Sequence, residues 1–283
     1  MNTISTYSYR RKYRMKSLEK ALRRALVCEK ICEVDRTEGK YIDNPYGSAP
    51  SATVQSIAGT YSAAAFTLTD DTLTVADEFI VSEHIYDFEQ LLTAFDVMAS
   101  RMDEQNFAIA AAIDKYVLNN LTEAGTGAYT TPAGGFTTPA NINVIMSNLI
   151  GKVAGYAEMY KGLFLVIENT DVPGFIQAQA ANGFNFADAA LRNGFMTNYM
   201  GVEIYVTRTG TFADATMGST TFTNASHRVF GVKNVSTYAA PRGIKYEEKG
   251  VAGKTGKEVV TYGYCGFKLW ATKTGLIVDI TLA

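Results

Sequence analysis

The sequence predicts a protein of the α+β class, in which helical and stranded regions are largely separate. A long apolar stripe at helical spacing covers residues 88–121 and indicates one extended helix. Short alternating elements follow residue 139, and the chain closes with strand-like runs after residue 243. The chain has 283 residues, 47% hydrophobic and 19% charged, so it can bury a sizeable core and is not mostly disordered.

We expect residues 1–44 to form a basic amino-terminal arm. Residues 1–40 contain 11 Lys or Arg against 5 Asp or Glu, whereas residues 41–100 contain 9 Asp or Glu and no basic residue. From Ser17 to Cys32 the pattern predicts an amphipathic helix with one basic face. Taken alone, the pattern favours an ordinary solvated face, and a face toward a polyanion or another partner is the alternative. Such asymmetry indicates a separate partner, which is nucleic acid, a second protein, or another copy carrying the acidic segment.

Residues 45–85 are predicted to form an extended hairpin loop. The runs Phe66–Thr69 and Leu73–Val75 alternate apolar and polar residues, and the polar residues 70–72 separate them like the tip of a hairpin. A two-stranded ribbon is marginally stable in water unless it packs on something else. We therefore expect the body or a neighbouring subunit to cover it, and we favour the neighbour.

Residues 86–139 are predicted to contain the long helix and a linker rich in Gly, Thr and Pro. A continuous helix from Phe88 to Leu121 would be about 50 Å long, which suits an extended subunit better than a compact sphere. Its apolar stripe comprises Phe88, Leu91, Leu92, Phe95, Met98, Ala99, Met102, Ile109, Ala110, Ile113, Tyr116, Val117 and Leu121.

The rest of the chain is predicted to alternate short helices and strands and then to consist mainly of strands. Residues 140–240 contain the helical part and residues 241–283 contain the closing strands. The expected helices are Asn141–Met159 and one beginning near Asp171; the expected strands are Gly162–Ile167, Val202–Thr207, Arg228–Val232, Ile244–Glu247, Glu258–Tyr264, Gly266–Ala271 and Gly275–Leu282.

No catalytic residue, metal site or cofactor is predicted, and we do not expect an enzyme. The two histidines, His84 and His227, lie far apart and show no metal-ligand spacing. Cys28 and Cys32 lie on the apolar face of the first helix, so core-facing thiols are expected. Residues 253–255 imitate the end of a phosphate-binding loop, but Glu248 occupies the position where that motif requires glycine.

No membrane span and no secretory signal are expected. The longest uncharged stretch, residues 124–151, is interrupted by Gly, Thr, Asn and Pro. The first 14 residues are polar and basic and lack an apolar core.

The order of these features resembles the major capsid proteins of tailed bacteriophages. The resemblance covers nearly the whole chain and combines a basic arm, an extended loop, a long helix, an α/β region and closing strands. The local segments that carry it are Gly162–Ile167, the helix near Asp171, Phe186–Leu191, Asn193-Gly194 and Met200–Val206, which look like the axial-domain strand, helix and strand of such proteins.

The resemblance implies a fold with an N-terminal arm, an extended loop, a long spine helix, and peripheral and axial domains. Residues 1–44 would be the arm and residues 45–85 the extended loop. Residues 86–139 would contribute the spine helix and linker of the peripheral domain, residues 140–240 the axial domain, and residues 241–283 the closing strands of the peripheral domain.

The resemblance also implies a structural function in a virion. Many copies would assemble, in the host cytoplasm, as pentamers and hexamers of an icosahedral shell around double-stranded DNA, with a separate scaffolding protein and a portal. DNA contact would be independent of sequence. The expected interior-facing residues, toward DNA or scaffold, are Arg10, Arg11, Lys12, Arg14, Lys16, Lys20, Arg23 and Arg24; the expected acidic inter-subunit residues are Asp70, Asp71, Asp77 and Glu78.

Three other functions remain open at this point, and one of them, a monomeric nucleic-acid-binding module, is opposed by the net charge of -2. An encapsulin-like nanocompartment shell would hold a protein cargo instead of DNA, and an unrecognised enzyme would need a cluster of titratable residues in a pocket. Some tailed-phage capsid proteins join subunits through a lysine in the extended loop. Because residues 41–100 contain no lysine, we expect no such covalent crosslink from this loop.

Overall fold

The computed structural model describes residues 26–52, 54, 57, 59, 65–86, 97–181, 195–253 and 255–283. Helices and two large sheets share one core, and the expected α+β class is confirmed. The helices are α1 (Cys28–Ile31), α2 (Val97–Ala124), α3 (Pro139–Val153) and α4 (Val172–Ala181). The strands are β1 (Glu33–Asp35), β2 (Tyr41–Asp43), β3 (Tyr46–Gly47), β4 (Leu68–Thr69), β5 (Thr72–Thr74), β6 (Asp77–Ile85), β7 (Gly127–Thr130), β8 (Leu163–Glu168), β9 (Phe195–Tyr199), β10 (Val202–Thr207), β11 (Asp214–Met217), β12 (Thr220–Thr223), β13 (His227–Val232), β14 (Ser236–Ala239), β15 (Ile244–Gly250), β16 (Lys257–Leu269) and β17 (Ile277–Thr281).

The long helix α2 confirms the expected helix over residues 97–121. It has 28 residues, so it extends over about 42 Å. In the described part of the expected stripe, Ile109, Val117 and Leu121 are fully buried, whereas Ala99 is exposed. The first part of the expected helix, residues 88–96, lies outside the described residues.

The first sheet is built around the 13-residue strand β16 and packs against α2. Its order is β1-β14-β16-β15, and β6 pairs with β16 along the edge opposite β15. Thr261 and Cys265 on β16 are fully buried, and the hydroxyl of Thr261 donates to Gln105 of α2 over 2.6 Å. Two separate strands were expected here. They form one strand, which pairs with β6 up to Cys265 and with β14 from Gly266 onward. Gly266 marks a close approach to the backbone of Thr74 and not a break.

The second sheet has the order β7-β17-β13-β8-β10-β9. Strand β8 is buried along its whole length, between parallel β10 and antiparallel β13. Helix α3 packs against α4, and Phe136 stacks on Phe175 with ring centroids 5.5 Å apart. The expected strands at 162–167, 202–207 and 228–232 are confirmed by β8, β10 and β13, each within one residue at its ends.

Four short strands form a ribbon, defined here as residues 41–48 paired with residues 67–74. Strand β2 pairs with β5, and β3 pairs with β4. The expected pairing of residues 66–69 with residues 73–75 was therefore wrong. Asp71 is not at a tip: its side chain is buried against Ala271 and Lys268, and the chain continues through it as one edge of the ribbon.

Other expectations on local structure had mixed outcomes. Helix α3 ends at Val153, earlier than the expected Met159, and a 3₁₀ turn follows at Ala157–Lys161. The closing strands correspond to β15, β16 and β17. Strand β6 was not expected. Of the first expected helix the structure describes only the end, as α1, and Phe186–Leu191 lies outside the described residues.

Candidate assembly surfaces

The ribbon presents apolar side chains to solvent. Val54 and Ile57, beyond its paired part, are fully exposed, and Phe66 and Leu68 are 73% and 63% exposed. A ribbon of this kind buries too little surface to be stable alone. Four large apolar side chains on or near the ribbon are thus exposed in the isolated chain.

The base of the ribbon is held by its own chain. Leu73 is fully buried, and the N–H of Val75 donates to the carbonyl of Lys40 over 2.9 Å. The carboxylate of Asp71 accepts the N–H of Ala271 over 2.8 Å and pairs with Lys268 at 2.6 Å. Burial by itself would raise the pKa of Asp71, but these two donors hold it below its ordinary value.

A second anchor lies where the ribbon continues into β6. The carboxylate of Asp77 accepts the hydroxyl of Tyr116 from α2. It also contacts Gly218, at positive φ in the turn between β11 and β12, and leaves no room for a Cβ there. Burial and this hydrogen bond raise the pKa of Tyr116. Asp77 thus joins the ribbon, the long helix and the β11–β12 hairpin.

The four expected acidic inter-subunit residues therefore differ in their surroundings. Asp71 and Asp77 contact partners within their own chain, whereas Asp70 and Glu78 are exposed. The eight expected basic residues, from Arg10 to Arg24, all lie outside the described residues.

The root of the arm is part of the core. Val27, Cys28 and Ile31 are buried, and the N–H groups of Val27 and Cys28 both donate to Asp114 of α2 over 2.7 Å. The expectation of core-facing thiols is confirmed. Burial raises the pKa of Cys32 to about 12, so this thiol stays protonated and unreactive.

A polar network joins α2 to β6. Arg101 donates two hydrogen bonds to Glu83, and Gln105 donates to the same carboxylate over 2.9 Å. The hydrogen bonds from Arg101 lower the pKa of Glu83, although its partial burial opposes this. The long helix is therefore fixed to the first sheet by polar groups as well as by packing.

A buried ion cluster lies at the end of β8. Arg228 donates to Asp171 over 2.6 Å and to Glu168 over 3.3 Å, and the three residues are only 3%, 2% and 5% exposed. Glu168 also accepts the backbone N–H groups of residues 210, 211 and 212 over 3.0 to 3.2 Å. The cluster fixes that loop against the second sheet. Sequence reasoning missed it, because the partners are about 60 residues apart along the chain.

The described residues contain no group of three or more metal-ligating side chains. His84 contacts the carbonyl of Thr255 at 3.1 Å, and His227 contacts Asp279 at 2.8 Å. No helix within the described residues is long and apolar enough to cross a membrane.

No family model and no curated protein matches this sequence. Solved structures do match it. The capsid of cyanophage P-SCSP1u aligns with a TM-score of 0.74 at 14% identity, over 100% of this chain and 93% of that chain. This chain has the fold of phage capsid proteins. A structure of Mycobacterium phage Che8 aligns with a TM-score of 0.72 at 16% identity, over 94% of both chains, and the capsid of a native GTA particle aligns with 0.68 at 14% identity, over 95% of this chain and 94% of that chain.

The fold-level expectation is therefore confirmed. The ribbon, the long helix α2 and both sheets are parts of a capsid fold that spans the chain. The strands cross the expected domain boundaries: β14 belongs to the first sheet, whereas β7 and β17 belong to the second sheet.

Proposed function

We propose that this chain is the major shell subunit of a tailed-phage virion. Copies assemble as pentamers and hexamers of an icosahedral shell that encloses double-stranded DNA. The observation that carries the proposal is the match to capsid proteins over the whole chain. The exposed apolar ribbon supports it, because an isolated copy leaves this surface uncovered.

The five expected segments have the following roles in this proposal. The arm, residues 1–44, and the loop, residues 45–85, contact neighbouring copies. Residues 86–139 and 241–283 build most of the peripheral domain, and residues 140–240 build most of the axial domain. The sheet order departs from this division at β1 and β6, which place parts of the arm and of the loop in the first sheet, and at β7, β14 and β17.

The basic residues between Arg10 and Arg24 face the interior of the shell, where they neutralise DNA phosphates or contact a scaffolding protein. Asp70 and Glu78 contribute to contacts with the adjacent copy, since they are exposed on the ribbon and at the start of β6. Assembly takes place in the host cytoplasm with a separate scaffolding protein and a portal. The proposal assigns no enzymatic activity, cofactor or membrane partner.

The proposal is tested by sedimentation velocity and negative-stain microscopy of the purified chain. At physiological ionic strength, salt screens the attraction between opposite charges beyond about 8 Å. Lowering the salt concentration strengthens charge-complementary contacts between copies, so closed particles of uniform diameter are expected to form. A compact monomer at every concentration and salt condition contradicts the proposal. Particles from infected cells that contain a protein cargo and no nuclease-protected DNA indicate a nanocompartment instead.

A further inference from the structure

Strand β15 forms a long exposed edge of the first sheet. It has seven residues, lies at the end of the strand order, and pairs with β16 in an uninterrupted register. All seven residues are exposed, Ile244 by 37% and Tyr246 by 57%. Among the described residues, β15 pairs with no second strand. Alternate backbone N–H and C=O groups of such an edge point away from the sheet and can bind one more strand.

The usual protections of an edge strand are weak in β15. Proteins prevent edge-to-edge pairing with short strands, bulges, proline or charged side chains. The pairing of β15 with β16 contains no bulge, and Pro241 precedes the strand. Strand β15 carries two positive and two negative side chains, which are Lys245, Lys249, Glu247 and Glu248. Because these charges sum to zero, the edge does not repel a second copy of itself by net charge.

The order of the charges favours one register when two copies of β15 pair antiparallel across a two-fold axis. A residue on the axis meets its own copy, so a charged residue there would face a like charge. Between residues 245 and 249 the only uncharged residue is Tyr246. With Tyr246 on the axis, Lys245 of each copy lies opposite Glu247 of the other copy. Directly opposite residues share a face of the sheet, so two Lys–Glu pairs form on one face.

The side chains of these two pairs can still take a partner. Lys245 forms no ion pair with any described residue of its own chain. Glu247 lies 3.2 Å from Lys249 and accepts the hydroxyl of Tyr262 over 3.0 Å. These two donors hold the pKa of Glu247 below its ordinary value, so the carboxylate stays charged. Since a carboxylate has about four acceptor sites, it can also accept the ammonium group of Lys245 from a second copy.

We propose that β15 of one copy pairs antiparallel with β15 of a second copy, with Tyr246 on the two-fold axis, and joins the two first sheets into one. The inference rests on the proposed function and specifies a contact between adjacent pentamers and hexamers. Contacts within a pentamer or hexamer are head-to-tail, whereas a self-complementary contact needs a two-fold axis. An icosahedral shell has such axes between its pentamers and hexamers. A strand that pairs with its own copy therefore joins these units to one another.

The first experiment places a cysteine on the axis. Directly opposite residues of an antiparallel pair have Cα atoms about 4.5–5.5 Å apart, which is within the range of a disulfide. Particles of Tyr246→Cys should give a disulfide-linked dimer on a non-reducing gel after mild oxidation, since the three native cysteines are buried. Glu248→Cys is the matched control: in this register its two copies lie about 14 Å apart along the strands and should not link. No dimer from Tyr246→Cys, or equal linking by both variants, contradicts the proposal.

The second experiment tests the charges, with the protein concentration needed for particle formation as readout. Lys245→Glu places like charges opposite each other at both positions. It should raise this concentration about tenfold, since each exposed pair contributes a factor of about two to five. Adding Glu247→Lys restores opposite charges in this register and should return the concentration to that of the unmodified chain. Lys249→Glu makes the same charge change but lies opposite Gly243, so it should leave assembly unchanged.

The two proposals fail differently. If the unmodified chain forms no particles, the proposed function is wrong, and this inference with it. If particles form but Tyr246→Cys gives no dimer and Lys245→Glu assembles as readily as Lys249→Glu, only the pairing of β15 is wrong.

Discussion

Replacing Arg228 by Met tests whether the buried ion cluster holds the second sheet together. The substitution keeps most of the side-chain volume but leaves Glu168 and Asp171 as two buried carboxylates without their cation. Breaking a buried ion pair from one side costs about 3–5 kcal/mol. Glu168 retains three backbone donors and Asp171 retains one, which keeps the expected cost near the lower end of that range.

The assay is urea unfolding of the dissociated protein, followed by circular dichroism. For a slope of about 2–3 kcal/mol per molar urea, the midpoint should fall by about 1–2 M. Arg242→Met is the matched control, because Arg242 is exposed and lies 3.9 Å from Glu38. This control should change the free energy of unfolding by less than about 0.5 kcal/mol.

A further variant separates charge from packing. Adding Glu168→Gln and Asp171→Asn to Arg228→Met removes the uncompensated charges, while the amide introduced by Glu168→Gln keeps an oxygen for the backbone donors. Most of the lost stability should return. If Arg228→Met unfolds at the same urea concentration as the control, the cluster does not stabilise the sheet, and the reasoning from burial and charge is refuted.

Three other outcomes follow from the structure. Because the pKa of Asp71 is lowered in the folded protein, this carboxylate stabilises the fold at pH values above the ordinary carboxyl pKa. Its contribution is lost as the pH falls through the lower pKa of the folded state. Asp71→Asn should therefore weaken the pH dependence of the thermal unfolding temperature in the acid range. A chain lacking residues 1–16 should unfold at the same temperature as the full chain, whereas one lacking residues 1–32 should lose the buried side chains of α1 and fail to fold, as judged by near-ultraviolet circular dichroism. Mature particles boiled in detergent should migrate as single subunits on a denaturing gel, and a ladder of covalent oligomers would contradict the expectation drawn from the lysine-free loop.

The elements that sequence reasoning located well are those encoded by local periodicity. Helix α2 and strands β8, β10 and β13 each contain an apolar pattern that is complete within the element. Strand β6 was missed because Ile80 is exposed on its outer face, and Glu83 and His84 follow inside the strand. The alternation of inward-facing and outward-facing side chains along β6 can be recognised only when its pairing with β16 is known.

The ribbon pairing could not be predicted in the same way. The position of Asp71 depends on Ala271 and Lys268, which lie about 200 residues further along the chain. Only the charge asymmetry of the amino-terminal segments was visible in the sequence.

The division within the ribbon explains how a marginal element serves assembly. Its base is fixed by Leu73, Asp71 and Asp77, so its direction is determined before any neighbour binds. Leu68 at its distal end is exposed, and so are Phe66 and Ile57 beyond the paired part; burying these apolar groups is favourable only when a partner covers them. An interface loses less ordering entropy when one partner is already held in its bound direction. The anchoring contacts therefore strengthen contacts between copies, although none of the anchors needs to touch a neighbour.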